Sequence, residues 1–453
     1  MTVMTYQETL CYLYASQPAF HLVGAAAYKP GFQNTIALLQ HLRLMDDKQH
    51  WLGSFPAIHV AGTNGKGSCS HLIAACLQAN GLKVGLYTSP HLVDFRERIR
   101  ISGQMIPEEE VVRYVAENKD FLDTLKPSFF ESSMALAFRY FEDKKVDVAV
   151  IEVGLGGRLD STNILPPANA NHQAGVVLSL ITNIGLDHTE FLGNTLSQIA
   201  AEKAGIMKPG VPCVIGETHP ETMPVFLERA QTMGILGEGL ETSDCRIWFA
   251  DQCGYLARCR QRDIPQCQLH GIYQERNMQT AYVALSALHS LGIFSLSAKA
   301  LAKGFAEVCT LTGLRGRWEV LSSTPLTICD TGHNSHGLQY VSKQLQQLLE
   351  EDPSRRLYIV FDMVDDKDVD VVMQHLPHQA FYFFATASTH RAVPATQMRN
   401  LWLKHGGNSA NTAVFDSVPQ AVRAAQEKAT DKDIIFIGGS NYVVGEALRE
   451  CFG

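Results

Sequence analysis

The sequence predicts an α/β fold of two domains, each a largely parallel sheet covered by helices. Three observations carry that prediction. Apolar strand-like runs alternate with helically spaced segments along most of the 453 residues. The alternation breaks at Thr312-Gly313-Leu314-Arg315-Gly316-Arg317 and then restarts. The first clear strand ends in a glycine-rich loop holding one lysine, with a helical segment behind it. The division is therefore placed between residues 1–312 and 313–453.

In the first domain the expected strands are 58–61, 83–87, 147–153, 176–183 and 211–215, and the expected helices 68–80, 107–125, 131–142 and 196–206. Pro107 followed by three glutamates reads as a helix start, with Pro at the first position and carboxylates at the positive end of the dipole. Residues 243–268 have mixed polarity and read as a hairpin or β insertion. Helices at 277–290 and 297–308 close the domain. In the second, smaller domain strands are expected at 326–329, 356–361, 380–384, 412–415 and 433–437. Helices are expected at 337–350, 369–376, 395–405 and 418–429, with a final helix after the last strand, ending at residue 450.

Composition bounds the function. A formal net charge of −8 and a pI near 6.1 argue against a nucleic-acid surface. Anionic ligands would then be met by loops, helix ends and metal ions. The first 13 residues lack the basic flank and apolar core of a signal peptide, and no apolar run spans a bilayer. Eleven cysteines are scattered without a Cys-x-x-Cys pair. Cys245, Cys253, Cys259 and Cys267 fit no common zinc spacing, so free thiols in a reducing cytoplasm are expected.

The loop Thr63-Asn64-Gly65-Lys66-Gly67-Ser68 has the physical recipe for phosphate: backbone N–H groups, a helix N-terminus and a point charge. It departs from the standard P-loop, with Val60 where a Gly belongs and Gly67 where Ser or Thr follows the Lys. Asp147 to Glu152 is an apolar strand tipped by an acid, suited to Mg²⁺. The Gly154-Leu155-Gly156-Gly157-Arg158-Leu159-Asp160-Ser161 loop behind it has Leu159 where a dinucleotide fingerprint needs its third Gly. Ser89, at a strand end, could offer a hydroxyl to Mg²⁺, and an ordinary Ser-Pro turn is an equal reading. Lys203 sits in an Ala-rich helix, where burial would lower its pKa and let the amine take up CO₂ as a carbamate. The bland alternative is a solvated lysine.

These motifs, in this order, resemble the folylpolyglutamate synthase and dihydrofolate synthase branch of the Mur ligase superfamily, over about residues 34–446. The resemblance implies a Mur ligase-like fold: a P-loop ATPase domain and a smaller Rossmann-like domain that binds glutamate. It implies an ATP-dependent amide ligase acting through an acyl phosphate, with Mg²⁺ at two sites. Ser89, Glu152, His188 and Lys203 would be metal ligands, Lys203 as a carbamate. Thr63, Asn64, Gly65, Lys66, Gly67, Ser68, Asn277, Arg317 and Asp330 would meet ATP, Arg317 on domain closure, with a helix N-cap the alternative for Asn277. Ser128, Phe129, Phe130 and Glu131, with Leu159, Asp160 and Ser161, would form a pterin site; without the resemblance the two phenylalanines read as core. His333 and Ser440 would contact glutamate, and an N-cap is the alternative for Ser440. Lys66, Lys203 and His333 are the expected catalytic residues. Lys367 and Asp368 match a family segment without a defined role. Substrates would be ATP, L-glutamate and dihydropteroate or folates, handled by a cytoplasmic monomer that binds neither nucleic acid nor membrane. The motifs do not separate the two acceptors. Another Mur-type ligase, or a P-loop NTPase switch, remains the alternative.

Overall fold

The computed structural model describes residues 4–17, 31–237, 245–253, 266–365 and 369–453. The chain divides into two compact units. The first comprises Met1–His91, Phe95–Gln268 and Gln274–Leu314, and the second Leu92–Asp94, Leu269–Tyr273 and Arg315–Gly453. The second unit thus draws two short pieces from the earlier part of the chain, which a single cut in the sequence does not provide.

The first unit is built on β1 (Pro56–Ala61), β2 (Val84–Tyr87), β3 (Ile99–Ile101), β4 (Gln104–Met105), β5 (Val148–Glu152), β6 (Gly175–Ile181), β7 (Cys213–Ile215) and β8 (Ile247–Phe249). They lie in the order β4-β3-β2-β5-β1-β6-β7-β8. From β2 to β8 through the centre all pairs are parallel, while β3 and β4 run antiparallel at one edge. β1 sits between β5 and β6, both faces buried. The C-terminal ends of β1, β2, β5 and β6 therefore converge, which is where open α/β sheets bind ligands.

The β3–β4 hairpin turns on Ser102-Gly103, both with positive φ (45° and 80°), as a two-residue hairpin requires. The sequence reading did not find these two short strands, nor helices Tyr6–Ser16, Gln33–His41 and Met223–Thr232. Tyr6–Ser16 is started by a capping box between Thr5 and Glu8. A second capping box, Ser128 with Glu131, starts helix Phe129–Lys144 two residues earlier than expected. Pro107 proves to be the N-cap of Glu108–Leu125, not its first helical residue. Most of the supposed 243–268 insertion lies outside the described residues. Its described strand, β8, pairs parallel with β7 and extends the sheet.

The second unit holds β9 (Glu319–Ser323), β10 (Leu326–Asp330), β11 (Leu357–Phe361), β12 (Phe381–Ala385), β13 (Thr412–Phe415) and β14 (Ile434–Gly438), in the order β13-β12-β11-β14-β10-β9. Only β9 is antiparallel. One core face is rich in aromatics, with Phe361, Tyr382, Phe384, Trp402 and Phe436 all buried. The other is lined by Val418, Val422, Val443 and Val444.

Candidate active site

β1 delivers the phosphate loop. Gly62 and Gly65 have positive φ, 149° and 81°. A Cβ at Gly62 would lie 1.8 Å from Thr182 Oγ1, and one at Gly65 2.1 Å from Asn277 Oδ1. Neither position admits a side chain. The loop is tied down from the end of β6: the N–H of Thr63 donates to the Asn183 carbonyl (3.0 Å), that of Asn64 to Asn183 Oδ1 (2.8 Å), and Thr182 Oγ1 to the Asn64 carbonyl (2.6 Å). Thr63 and Asn64 are thus turned inward as anchors. Helix Lys66–Ala79 starts immediately after, so its first-turn N–H groups lack intrahelical acceptors and form an anion-seeking end. Lys66 Nζ donates to the carbonyls of Gly62 and Thr63, both at 3.1 Å.

Asn277 is not an N-cap, because its helix already starts at Gln274. It is buried, donates to Gln274 Oε1 (2.8 Å), and faces Gly65; Gln274 in turn donates to Ser68 Oγ (3.2 Å). Gln274, Thr182 and Asn183 were missed in the sequence. Two polar residues directly after an apolar strand were the available signal for Thr182 and Asn183.

Glu152 ends β5 and is buried; its Oε2 accepts the N–H of Ser89 at 3.1 Å. Lys203 is also buried, which overturns the solvated-lysine reading. Its Nζ donates to the Gly62 carbonyl at 2.9 Å. Burial, with the Lys66 charge adding to it, pushes the Lys203 amine down to about 7. His188 has φ 49°, precedes helix Thr189–Leu192, and gives its N–H to Asp187 Oδ1 (2.9 Å). Ser89 and Glu152 therefore meet directly, Lys203 meets the phosphate loop, and His188 is set beside Asp187. Among the described residues, no three His, Cys, Asp or Glu side chains are grouped to hold a metal ion.

In the expected pterin segment, Ser128 and Glu131 are bound to each other by the capping box, and Glu131 Oε1 also accepts from Thr35 Oγ1 (3.2 Å). Phe129 is core, stacked on Tyr14 at 5.1 Å. Phe130 is half-buried and lies against Gly154, where a Cβ would come within 2.5 Å of its ring. Asp160 is buried inside its own loop. It accepts from the N–H groups of Gly154 (3.0 Å), Leu155 (2.9 Å) and Thr162 (3.0 Å), and from Thr162 Oγ1, which also meets His59 Nε2 (2.8 Å). Its carboxylate shapes the loop that follows Glu152. Ser161 is buried beside it and Leu159 is half-buried.

In the second unit Asp330 ends β10 and is buried. It accepts from the N–H groups of Trp318 and Gly332, both at 2.7 Å, and from the Tyr273 hydroxyl. Burial pushes its carboxyl up, against the opposing pull of these donors and of Arg317. Arg317 donates to the Gly316 carbonyl, and His333 Nδ1 lies 2.9 Å from the Thr331 carbonyl. Ser440 is the N-cap of helix Asn441–Glu450, accepting from Val443 N at 3.3 Å. Lys367 and Asp368 lie outside the described residues. Asp362, just after β11, was missed: it is fully buried, accepts from Met363 and Ala387 N–H groups, and is pushed by burial up to about 7.

Comparison with known proteins adds to this geometry. Residues 60–216 match the Mur ligase middle domain, and residues 316–441 the Mur ligase glutamate ligase domain. The chain is 32% identical to the folylpolyglutamate synthase of Lacticaseibacillus casei, over 99% of both chains. It is 33% identical to the dihydrofolate synthase/folylpolyglutamate synthase of Escherichia coli, over 86% of this chain and 85% of that one. It spans 48% of a probable bifunctional folylpolyglutamate synthase/dihydropteroate synthase of Haloferax volcanii. Among solved structures, a bifunctional folylpolyglutamate synthase/dihydrofolate synthase of Yersinia pestis complexed with AMPPNP and Mn ion superposes with a TM-score of 0.77, at 27% identity and 98% coverage of both chains.

Proposed function

Because the chain belongs to the folylpolyglutamate synthase and dihydrofolate synthase family of Mur ligases, we propose that it joins L-glutamate to the carboxylate of dihydropteroate, folates or both, forming ADP and phosphate. The observation that carries this reading is the convergence on the Gly62 carbonyl of Lys66 and the buried Lys203. With the acid tip of β5, it gives the first unit a phosphate-transfer site.

A carboxylate is a poor acyl donor, so it must first be phosphorylated. The loop N–H groups and Lys66 hold the β- and γ-phosphates while an acceptor carboxylate oxygen attacks the γ-phosphorus and the bond to ADP breaks. Asn277 and Gln274 set the loop edge, with Asn277 offering its amide to the base; Arg317 and Asp330 serve the nucleotide from the second unit. The glutamate amine then attacks the acyl carbon, loses a proton, and expels phosphate. His333 and Ser440 position that glutamate. Phe130, Leu159 and the loop shaped by Asp160 hold the pterin, backed by Ser128, Phe129, Glu131 and Ser161.

The buried Glu152 carboxylate, with Ser89 beside it, offers the hard oxygens that Mg²⁺ prefers, and His188 would add a nitrogen ligand at a second site. When bound, the ion neutralises charge on the transferring phosphate. An ammonium at Lys203 would oppose it. A neutral Lys203 amine that adds CO₂ and releases a proton becomes an anionic carbamate, which supplies the missing oxygens. An amine already lowered to about 7 supports that reading. The remainder of the proposal is a cytoplasmic monomer; the free state of every described cysteine supports a reducing compartment.

The test is phosphate release from ATP and Mg²⁺ with dihydropteroate or tetrahydrofolate, with and without L-glutamate. Turnover that needs both pterin and glutamate is expected. Glutamate-independent hydrolysis, or no turnover with either pterin, would point to another Mur-type ligase or an NTPase switch.

A further inference from the structure

We infer that Arg98 is the residue that receives the carboxylate of the acceptor. Three arginines alternate through Arg96, Arg98 and Arg100 at the edge of the first unit's sheet. Two have protein partners for their terminal nitrogens. Arg96 pairs with Glu108 at 3.3 Å, and Arg100 donates to the carbonyls of Gly103 (3.2 Å) and Gly313 (3.5 Å). Arg98 is different. It is only 3% exposed, yet among the described residues it makes no ion pair. Its one side-chain hydrogen bond runs from Nε to His91 Nδ1, at 2.8 Å.

That bond fixes the geometry. His91 Nδ1 must accept, so the ring is neutral and its proton is on Nε2, which faces the Tyr14 hydroxyl at 3.3 Å. With Nε held, the guanidinium lies 5.2 Å from the centre of the Phe129 ring. The cation–π contact recovers part of the charge's burial cost. The two Nη atoms, a flat pair of donors shaped for a carboxylate, have no acceptor among the described residues. A buried cation without a counter-ion is costly, and a ligand anion is the natural compensation.

The position selects which anion. The Arg98 carbonyl accepts the Thr88 N–H at 3.0 Å, which places Arg98 just beyond the C-terminal end of β2. Ser89 follows Thr88 there and donates to Glu152. Glu152 is near enough to act electrostatically on Arg98 without touching it. The guanidinium thus stands between the aromatic segment assigned to the pterin and the acid tip assigned to the metal. An acceptor reaching from one to the other presents its carboxylate there. Arg98 would orient the attacking oxygen and hold the charge of the acyl phosphate after the bond to ADP breaks.

This inference rests on the folate-ligase reading, so the test separates the two. Binding of dihydropteroate and of its carboxamide analogue is measured by calorimetry for the native enzyme, Arg98→Met and Arg98→Lys, with ADP binding as the control. The native enzyme is expected to prefer the acid by about 100-fold, the range of a hydrogen bond to a charged group. Arg98→Met should lose that preference, Arg98→Lys should keep part of it, and ADP affinity should not change. A native preference retained in full by Arg98→Met, or in full by Arg98→Lys should the Met variant not fold, overturns the role of Arg98 alone. Native enzyme that binds neither pterin overturns the folate reading and this inference with it.

Discussion

The two sheets treat buried charge in opposite ways. In the first unit the buried groups beside the strand ends include basic ones: among the described residues Lys203 donates only to a carbonyl, and Arg98 only to a neutral imidazole. In the second they are carboxyl groups, each already supplied with backbone donors: Asp330 by Trp318 and Gly332, Asp362 by Met363 and Ala387. A buried basic group without an acid either gives up its proton more readily, as the lowered Lys203 amine does, or is compensated by an anion, so the first unit is suited to anionic ligands. A buried carboxyl group already supplied with N–H donors braces the loop around it and needs no ligand cation.

The largest effect expected from this contrast is at Lys66. Lys66→Met should lower kcat by about 1,000-fold or more, since a phosphate-clamping charge acts chiefly in the transition state; steady-state phosphate release measures it. A fall under tenfold would break the contrast at its strongest point. Lys203→Ala should cost about 100-fold. Native enzyme stripped of bicarbonate should show the same defect and recover when bicarbonate is returned. The recovery rate should rise with pH through about 7, because the amine is deprotonated above that value and only the neutral amine adds CO₂. A pH-independent recovery would contradict the low amine pKa.

On the other side, Asp362 keeps its proton in the folded state to about 7, whereas an unfolded aspartate ionises near 4. The unfolded state therefore binds fewer protons between those values, and stability contributed by this group falls as pH rises through the window. Asp362→Asn has no such slope. It should gain on the native chain by about 2 kcal/mol between pH 5 and 7 and no further above it, read from denaturant midpoints. The smallest effect is at Tyr273→Phe, which removes one donor from Asp330 and should cost about 1 kcal/mol of stability, seen in Tm.

The fold was largely legible because buried parallel strands are continuous apolar runs, and β1, β5, β6, β10, β11, β12 and β14 all appear where such runs predict. The elements that escaped are short or depend on caps. The Ser102-Gly103 hairpin has three- and two-residue strands, below the length at which periodicity registers. Helix Tyr6–Ser16 depends on a Thr5–Glu8 box more than on an apolar stripe. Lys66, Glu152 and Lys203 were legible as candidates because each interrupts an apolar or glycine context. Arg98 was not: in sequence it is one of three alternating arginines, and only the fold removes it from water. Asp160 was legible as a candidate, but its inward role was not, since four donors from its own loop satisfy it.

The central claim is that the first unit's charges make the acyl phosphate and the second unit's loops deliver the amine. It is tested most directly by positional isotope exchange in ¹⁸O-labelled ATP, with Mg²⁺ and dihydropteroate but no glutamate. Native enzyme and His333→Ala should scramble the label at similar rates, although His333→Ala makes little amide when glutamate is added, and Lys203→Ala should scramble almost none. Equal loss of exchange in His333→Ala and Lys203→Ala would contradict the division of labour.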